Sequence, residues 1–316
     1  NGENAYHVII TSSLDSTTLI DGFTFKSGNA DGGSSWISYD KKYFFRFAGG
    51  GMHNISSSPS IINSSFSGNV ADYGGGMYNI SSSSPSIINS SFSGNVAYYG
   101  GGMYNYNSSP SISNNTFNGN TATSNGGGMF NDNSSPNITN TLFYGNTATT
   151  GSDIDGSNIQ SSSDHNASDG TGGGINSGSN FIDLSGVAST TLFTNPADPD
   201  GSDNIWRTAD DGLVPAVASP LTDTGSNTLL PTDTTDLDND GDTTEVIPFD
   251  STGTARVVGG IVDIGAYESS LAIKVSSSES GDITNNGIDS QGSQTAKISK
   301  TITYTITNSG VATLTL

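Results

Sequence analysis

The apolar positions of residues 49 to 155 recur on a fixed step, and that step organises the reading of the chain. Met52, Met77, Met103 and Met129 are separated by 25, 26 and 26 residues, and Phe66, Phe92, Phe117 and Phe143 by 26, 25 and 26. Ile61, Ile87, Ile112 and Ile138 keep the same step, as do Pro59, Pro85, Pro110 and Pro136. Each unit runs close to GGGMYN, ISSSSPSIINSSF, SGNVA, and a worn fifth copy begins at GSDIDG with Ile154 at the Met position. A fixed period of this length signals stacked supersecondary units.

Helical repeats are usually longer and need helix formers. These units consist mainly of Ser, Asn, Gly, Ile, Phe and Thr, and short runs such as SIINSSF alternate as strands do. At about 3.3 Å per residue, one unit suits a coil of three short strands and three bends. Stacking such coils about 4.8 Å apart satisfies the backbone hydrogen bonds between neighbours. The pattern therefore predicts an all-β parallel β-helix, a solenoid of about 26 residues per coil over residues 1–268, with its regular repeats at 49–155.

Invariant positions should point inward, where each coil must match the next. This predicts an aliphatic stack of Ile61, Ile87, Ile112 and Ile138, an aromatic stack of Phe66, Phe92, Phe117 and Phe143, and a thioether column of the four Met residues. Ile62 and Ile88 become Ser113 and Thr139 in later units, which suits an outward face. Asn69, Asn95, Asn120 and Asn146 recur, as do Asn63, Asn89, Asn114 and Asn140, and stacked Asn side chains can pass amide hydrogen bonds from coil to coil. These columns read as a core with turn ladders rather than as a ligand site.

Composition changes this picture little. The chain has 316 residues, of which 32% are hydrophobic and 12% charged, with 41 Gly; composition alone leans toward disorder, and the periodicity overrules it. No Cys is present, so neither a disulfide framework nor thiol chemistry is available. No apolar run is long enough to span a membrane, and no leader-like segment opens the chain, which is expected to be a mature form or a fragment.

Charge is more informative. The formal net charge is −21, yet residues 47–206 contain no Lys or Arg, and within 47–152 the acids are Asp72 and Asp132. Residues 198–268 hold fifteen acids against Arg207 and Arg256. Nucleic acid is excluded as a partner, because phosphate contacts need a basic face. Anionic membrane surfaces are disfavoured for the same reason.

The acidic residues of 198–250 fall into two loops. The first is DPDGSDN, with Asp198, Asp200 and Asp203; the second is DLDNDGDTTE, with Asp236, Asp238, Asp240, Asp242 and Glu245. Carboxylates alternating around a Gly turn suit Ca²⁺, which takes six to eight oxygen ligands. The second loop opens as an EF-hand loop does, but its twelfth position is Ile247 and no helices flank it. Either Ca²⁺ binds here in another loop geometry or these are solvated acidic turns.

Residues 26–48 interrupt the period with a basic and aromatic concentration: Trp36, Tyr39, Tyr43, Phe44, Phe45 and Phe47 with Lys41, Lys42 and Arg46. The readings are a carbohydrate or partner contact surface, or a loop packed over the open end of the helix. Residues 156–195 lose the period, although GTGGGINSGSNFIDLSG is expected to add one or two coils. Residues 269–316 alternate at period 2, as a half-buried strand does.

The repeats resemble the GG-A/M/I and F-x-x-N repeats of chlamydial polymorphic outer membrane proteins and related bacterial β-helix surface proteins. NAYHVI, TTLIDGFTFKSGNADGG, NPADPDGSDNIWRTADDGL, SPLTDTGSN and the VDIGAYE at 262–268 are similar to large secreted bacterial right-handed β-helix proteins. The resemblance covers some 260 residues. It implies a right-handed solenoid finishing at DIGAYE, an extracellular or cell-surface location, and adhesin or structural roles more often than catalysis. Two departures stand out: family members carry further coils before NAYHV, and the interruption at 33–48 is longer than expected. ITYTITNSGVATLTL is similar to the opening strands of bacterial immunoglobulin-like surface domains. The tail at 269–316 is thus read as a partial β-sandwich or as a donated strand.

Two functional classes follow. One is a non-catalytic extracellular structural protein that self-associates head to tail through its terminal strands, with Tyr43, Phe44, Phe45, Ile302, Tyr304 and Ile306 in the contact. The alternative is a carbohydrate-binding adhesin fragment or a polysaccharide-degrading enzyme on the same fold. A glycosidase needs two carboxylates about 5–9.5 Å apart in a groove. The regular coils place Ser and Asn where stacked acids would be required, and Asp153, Asp155, Asp164 and His165 are the only cluster near the flank.

Overall fold

In the computed structural model, the described residues are 5–33, 35–39, 42–157, 159–170, 172, 174–175, 180–216 and 218–269, with the backbone of 273–277, 281–283 and 304–308. The chain forms a parallel β-solenoid in which the coils contribute four strands, not three, except that the coil opening at Met129 meets the fourth sheet only through isolated bridges at Thr147 and Thr150. In the second coil the four strands are Met52–Ile55, Ser60–Ile62, Ser65–Ser67 and Val70–Tyr73. SIINSSF is two strands joined through Asn63 and Ser64, with Asn63 at a left-handed φ of 46°. The same corner recurs at Asn89, Asn114 and Asn140 with φ of 47°, 57° and 47°. A short polar side chain tolerates this backbone where Ile or Phe would not, so the repeated Asn marks a turn within what alternation alone reads as one strand.

Four parallel sheets result. The Met sheet runs Ile9–Ser12, Met52–Ile55, Met77–Ile80, Met103–Tyr106, Met129–Asp132 and Ile154–Gly156. Register is strict: Met77 pairs with Met52 and Met103, and Met129 with Ile154. The Ile and Phe sheets align Ile20, Ile61, Ile87, Ile112 and Ile138, and Phe25, Phe66, Phe92, Phe117 and Phe143. The first coil, Ile9 to Ala30, is therefore a complete four-stranded turn, and its Asn29–Ala30 strand pairs with Val70–Tyr73 in the fourth sheet. Past the repeats, Ala167–Ser168 and Ile182–Asp183 extend the Phe sheet.

The three apolar columns meet inside as one continuous core. Consecutive Phe rings stack at 4.6–4.7 Å with planes within 4–18°. Burial of each such ring stabilises by about 1.5–3 kcal/mol, and ring pairing adds to it. The triple-Gly corner admits no side chain: a Cβ on Gly76 would lie 2.5 Å from the Gly102 carbonyl of the next coil.

Polar ladders run beside the columns. Asn69 Nδ2 donates to Asn95 Oδ1, Asn95 to Asn120 and Asn120 to Asn146, at 2.9–3.0 Å. A second ladder, which the sequence reading passed over, runs from Thr11 through Asn54, Asn79 and Asn105 to Asn131, with amide contacts of 2.7–2.9 Å. All its Asn side chains are fully buried, and Asn131 Nδ2 ends it without a partner. Identical groups one coil apart can alternate donor and acceptor without any side chain changing rotamer, which makes a buried Asn tolerable here.

The corner asparagines do not form a third ladder. Asn89 reaches Asn63 at 3.4 Å but also donates to the Phe249 carbonyl at 2.6 Å, and Asn140 exchanges bonds with Ser226. They hold the returning chain instead. After the short helix Ser189–Leu192, the described residues of 193–268 form isolated bridges but no strand longer than these, and pack along the Ile and Phe faces of the coils. Lys26 meets Asp200 at 3.3 Å near the first coil, while Gly265 donates to the Asn140 carbonyl and Ala266 to Thr116 Oγ1 further along. DIGAYE is thus not a last coil stacked on the end; it lies against the flank, with Ile264, Ala266 and Tyr267 buried beside Leu142 and Ala167. The same cover explains Ile62 and Ile88: they point away from the core, as expected, but Ile247 and Leu237 pack over them and leave 3% and 6% of their surface exposed.

The insertion at 26–48 forms an antiparallel hairpin, Trp36–Tyr39 with Lys42–Phe45. It packs on the solenoid flank, not over an end: Phe44 is buried against His53, and Phe45 stacks on Phe47 and His53. Burial pulls the His53 imidazole down to about 3, so it stays neutral. The described tail strands Ile273–Ser277, Gly281–Ile283 and Tyr304–Asn308 pair antiparallel, with the first in the centre.

Candidate functional site

The second acidic loop folds back on itself. Asp233 is fully buried and accepts from the Thr235 and Leu237 amides, while its own amide donates to the Glu245 carbonyl. Between these anchors, the left-handed residues Asp236 and Asn239 turn the chain. Carboxylate oxygens of Asp233, Asp238 and Glu245 lie within 4.8 Å of one another, and so do those of Asp236, Asp238 and Asp240. Asp238 belongs to both groups. Asp242 faces elsewhere, accepting from the Thr244 amide and hydroxyl.

Glu245 carries the mark of this crowding. Its carboxyl is held above the usual range by desolvation and by the charges of Asp238, Asp240, Asp242 and Asp233, and its Oε1 is sealed off without a hydrogen-bond donor. A set of hard carboxylate oxygens with one orphaned acceptor suits Ca²⁺ in donor type. Such an ion would draw on Asp233, Asp238 and Glu245, with Asp236 and Asp240 beside them.

The first acidic loop is different. Asp200 pairs with Lys26, and Asp203 accepts from the Ile205 amide within its own turn. Asp210 accepts from Ser202 and Thr208. Asp198, Asp200 and Asp203 form no group of converging ligands among the described residues.

Nor does the flank cluster converge. Asp153 is buried and receives Asn146 Nδ2 at 2.8 Å, the Gly170 amide at 2.9 Å and the Ser168 hydroxyl; burial raises it to about 6. Asp155 binds Asn125 and Thr150, whereas Asp164 meets His165 and Asn180. Each acid has its own partners, and none shares a hydrogen bond with another.

A further buried cluster escaped the sequence reading. Arg256 is 1% exposed and donates to the Asp263 and Gly265 carbonyls, with Glu268 Oε1 at 3.2 Å. Asp250 receives the Glu268 amide, and Asp263 receives those of Asp223 and Ser269. Burial holds Glu268 above the usual carboxylate range, against the pull of Arg256. The signal available was the Asp and Glu of VDIGAYE itself, acids in an apolar run that must be buried with a cation.

The residues assigned to assembly separate. Tyr43 is exposed, edge-on to the exposed Trp36, whereas Phe44 is buried in its own chain and cannot meet a partner without undocking the hairpin. Tyr304 and Ile306 lie on the edge strand Tyr304–Asn308, and Ile302 lies outside the described residues. Comparison of the chain with protein-family models, with curated proteins and with solved structures returns no match. What the fold defines is a class: a repeat protein built as a parallel β-solenoid.

Proposed function

We propose that the chain is a non-catalytic extracellular structural protein, a rigid shaft displayed at a bacterial surface and joined to further copies through its strand edges. One observation carries the reading. The residues of the regular coils are themselves nearly uncharged and stack on a core of unbroken columns, and the acids at their far end each take separate hydrogen-bond partners. That arrangement resists bending, and among the described residues of the coils no two acids share a hydrogen bond as a catalytic pair would. The resemblance to secreted bacterial β-helix proteins supports the location, and no helix among the described residues is long and apolar enough to cross a membrane.

The tail supplies the joining edge. Tyr304–Asn308 is paired on one side by Ile273–Ser277 and lies at the border of its sheet among the described residues, so a strand from a second copy can add there. Negative-stain microscopy of the purified chain, with and without residues 298–316, tests this. Filaments are expected from the full chain and single particles from the shortened one. Filaments that persist unchanged after the deletion would remove the tail from the joint.

A further inference from the structure

A cavity of about 300 Å³ opens where the returning chain crosses the first two coils, lined by Asp21, Gly22, Asn63, Arg207, Phe249 and Thr252. Its volume is at the lower end of small-molecule sites, enough for a single ring. Asp21 ends the Leu19–Asp21 strand and Asn63 is the left-handed corner of the next coil, so the floor is rigid solenoid. The roof is the 249–253 turn, tied down by Asp250, whose Oδ1 accepts from Thr252 and Thr254.

Arg207 is the unusual member. Its backbone sits at φ 72°, a region an Arg rarely adopts and one that costs free energy. Asp211 holds it there: Oδ2 accepts the Arg207 amide at 2.8 Å and is itself fixed by the buried Tyr267 hydroxyl at 3.0 Å. The conspicuous DIGAYE tyrosine therefore braces the strained residue. Gly22 leaves room for the guanidinium, since a Cβ there would come within 3.0 Å of Arg207 Nη1. Yet among the described residues this guanidinium forms no salt bridge, and its Nε is buried without an acceptor. A planar guanidinium that lines a cavity with no carboxylate paired to it suits a ligand with acceptor oxygens.

Asp21, on the floor, chooses among ligands. Asp21 Oδ1 takes the Asn63 amide at 3.0 Å, which leaves its second oxygen to accept from a ligand. The cavity thus sets donors against an acceptor, with the Phe249 side chain beside them. An anion is disfavoured by Asp21, Asp250 and the fifteen acids of 198–268, and a metal cation by Arg207. We infer that this cavity binds one ring of a neutral sugar, vicinal hydroxyls accepting from Arg207 and donating to Asp21. It does not depend on filament formation, and the two fail separately.

The test is saturation-transfer NMR on the full chain with methyl glucoside, methyl galactoside and methyl mannoside, with glucuronate as the anionic comparison. At least one neutral hexoside should show transfer. Arg207→Lys keeps the charge but loses the fork, and should weaken that binding by about tenfold or more. Arg207→Gly suits the left-handed backbone, so it should abolish transfer while the melting temperature holds or rises. The proposal is overturned if no neutral hexoside binds, if glucuronate alone binds, or if Arg207→Gly binds as the parent does. A lowered melting temperature in Arg207→Gly would also overturn it, by making Arg207 a packing residue.

Discussion

Asn146 donates its side-chain amide to Asp153 Oδ1 at 2.8 Å, so the ladder that starts at Asn69 ends on a carboxylate. Every amide in the series donates in the same direction along the coils. Asp153 supplies the acceptor that a sixth coil's asparagine would otherwise have provided.

That terminus has a pH dependence with a definite sign. Burial raises the folded Asp153 to about 6, above the ordinary value of 3.8, so the native state binds the proton more tightly than the unfolded chain. Its contribution to stability is then fully present below the unfolded value and is lost as pH rises through about 6. The melting-temperature difference between parent and Asp153→Asn should therefore grow in the parent's favour from pH 7.5 to pH 4.5. A difference independent of pH over that range would show that Asp153 is not the titrating group.

The buried ladder makes an unequal prediction about two equivalent asparagines. Asn105→Ala strands both the Asn79 donor and the Asn131 acceptor, at a cost of about 2–4 kcal/mol. Asn131→Ala strands only the Asn105 donor and removes an amide that was already half unsatisfied, so it should cost roughly half as much. Equal losses in denaturant melts would contradict the ladder's direction.

Phe92 and Ile88 measure the two faces of one coil. Phe92→Ala should cost about 3–5 kcal/mol, as for buried aromatics in general. Ile88→Ser, on the outer face, should still cost about 2 kcal/mol, because Ile247 and Leu237 cover it. Deleting the cover's contact by Ile247→Ser should make Ile88→Ser nearly harmless, which a double-mutant cycle reads directly.

The second acidic loop should respond to calcium. Ca²⁺ bound by the native state alone raises the melting temperature, and Asp238→Ala, which removes the ligand common to both groups, should abolish that rise. Asp200→Ala in the first loop should leave it intact, since Asp200 is engaged with Lys26. A melt indifferent to calcium and to chelator alike would reduce the loop to solvated turns.

What the sequence determined by itself is everything that repeats. The Met, Ile and Phe columns were legible because stacked coils force the same side chain into the same place, so packing is written as period. The Asn54, Asn79, Asn105 and Asn131 ladder is equally periodic, and its step is written in the sequence as plainly as that of the columns. The count of four strands rests on the corner at Asn63, which lets Ile61 and Phe66 both point inward although they stand five positions apart, as no single alternating strand allows. Tertiary structure alone decided the course of residues 193–268. Their contacts, such as Ala266 with Thr116 and Asn140 with Gly265, join residues more than a hundred positions apart, and each contact is made once. A contact made once leaves no period, and so the cover over Ile88, the burial of Arg256 and the cavity beside Arg207 could be found only in three dimensions.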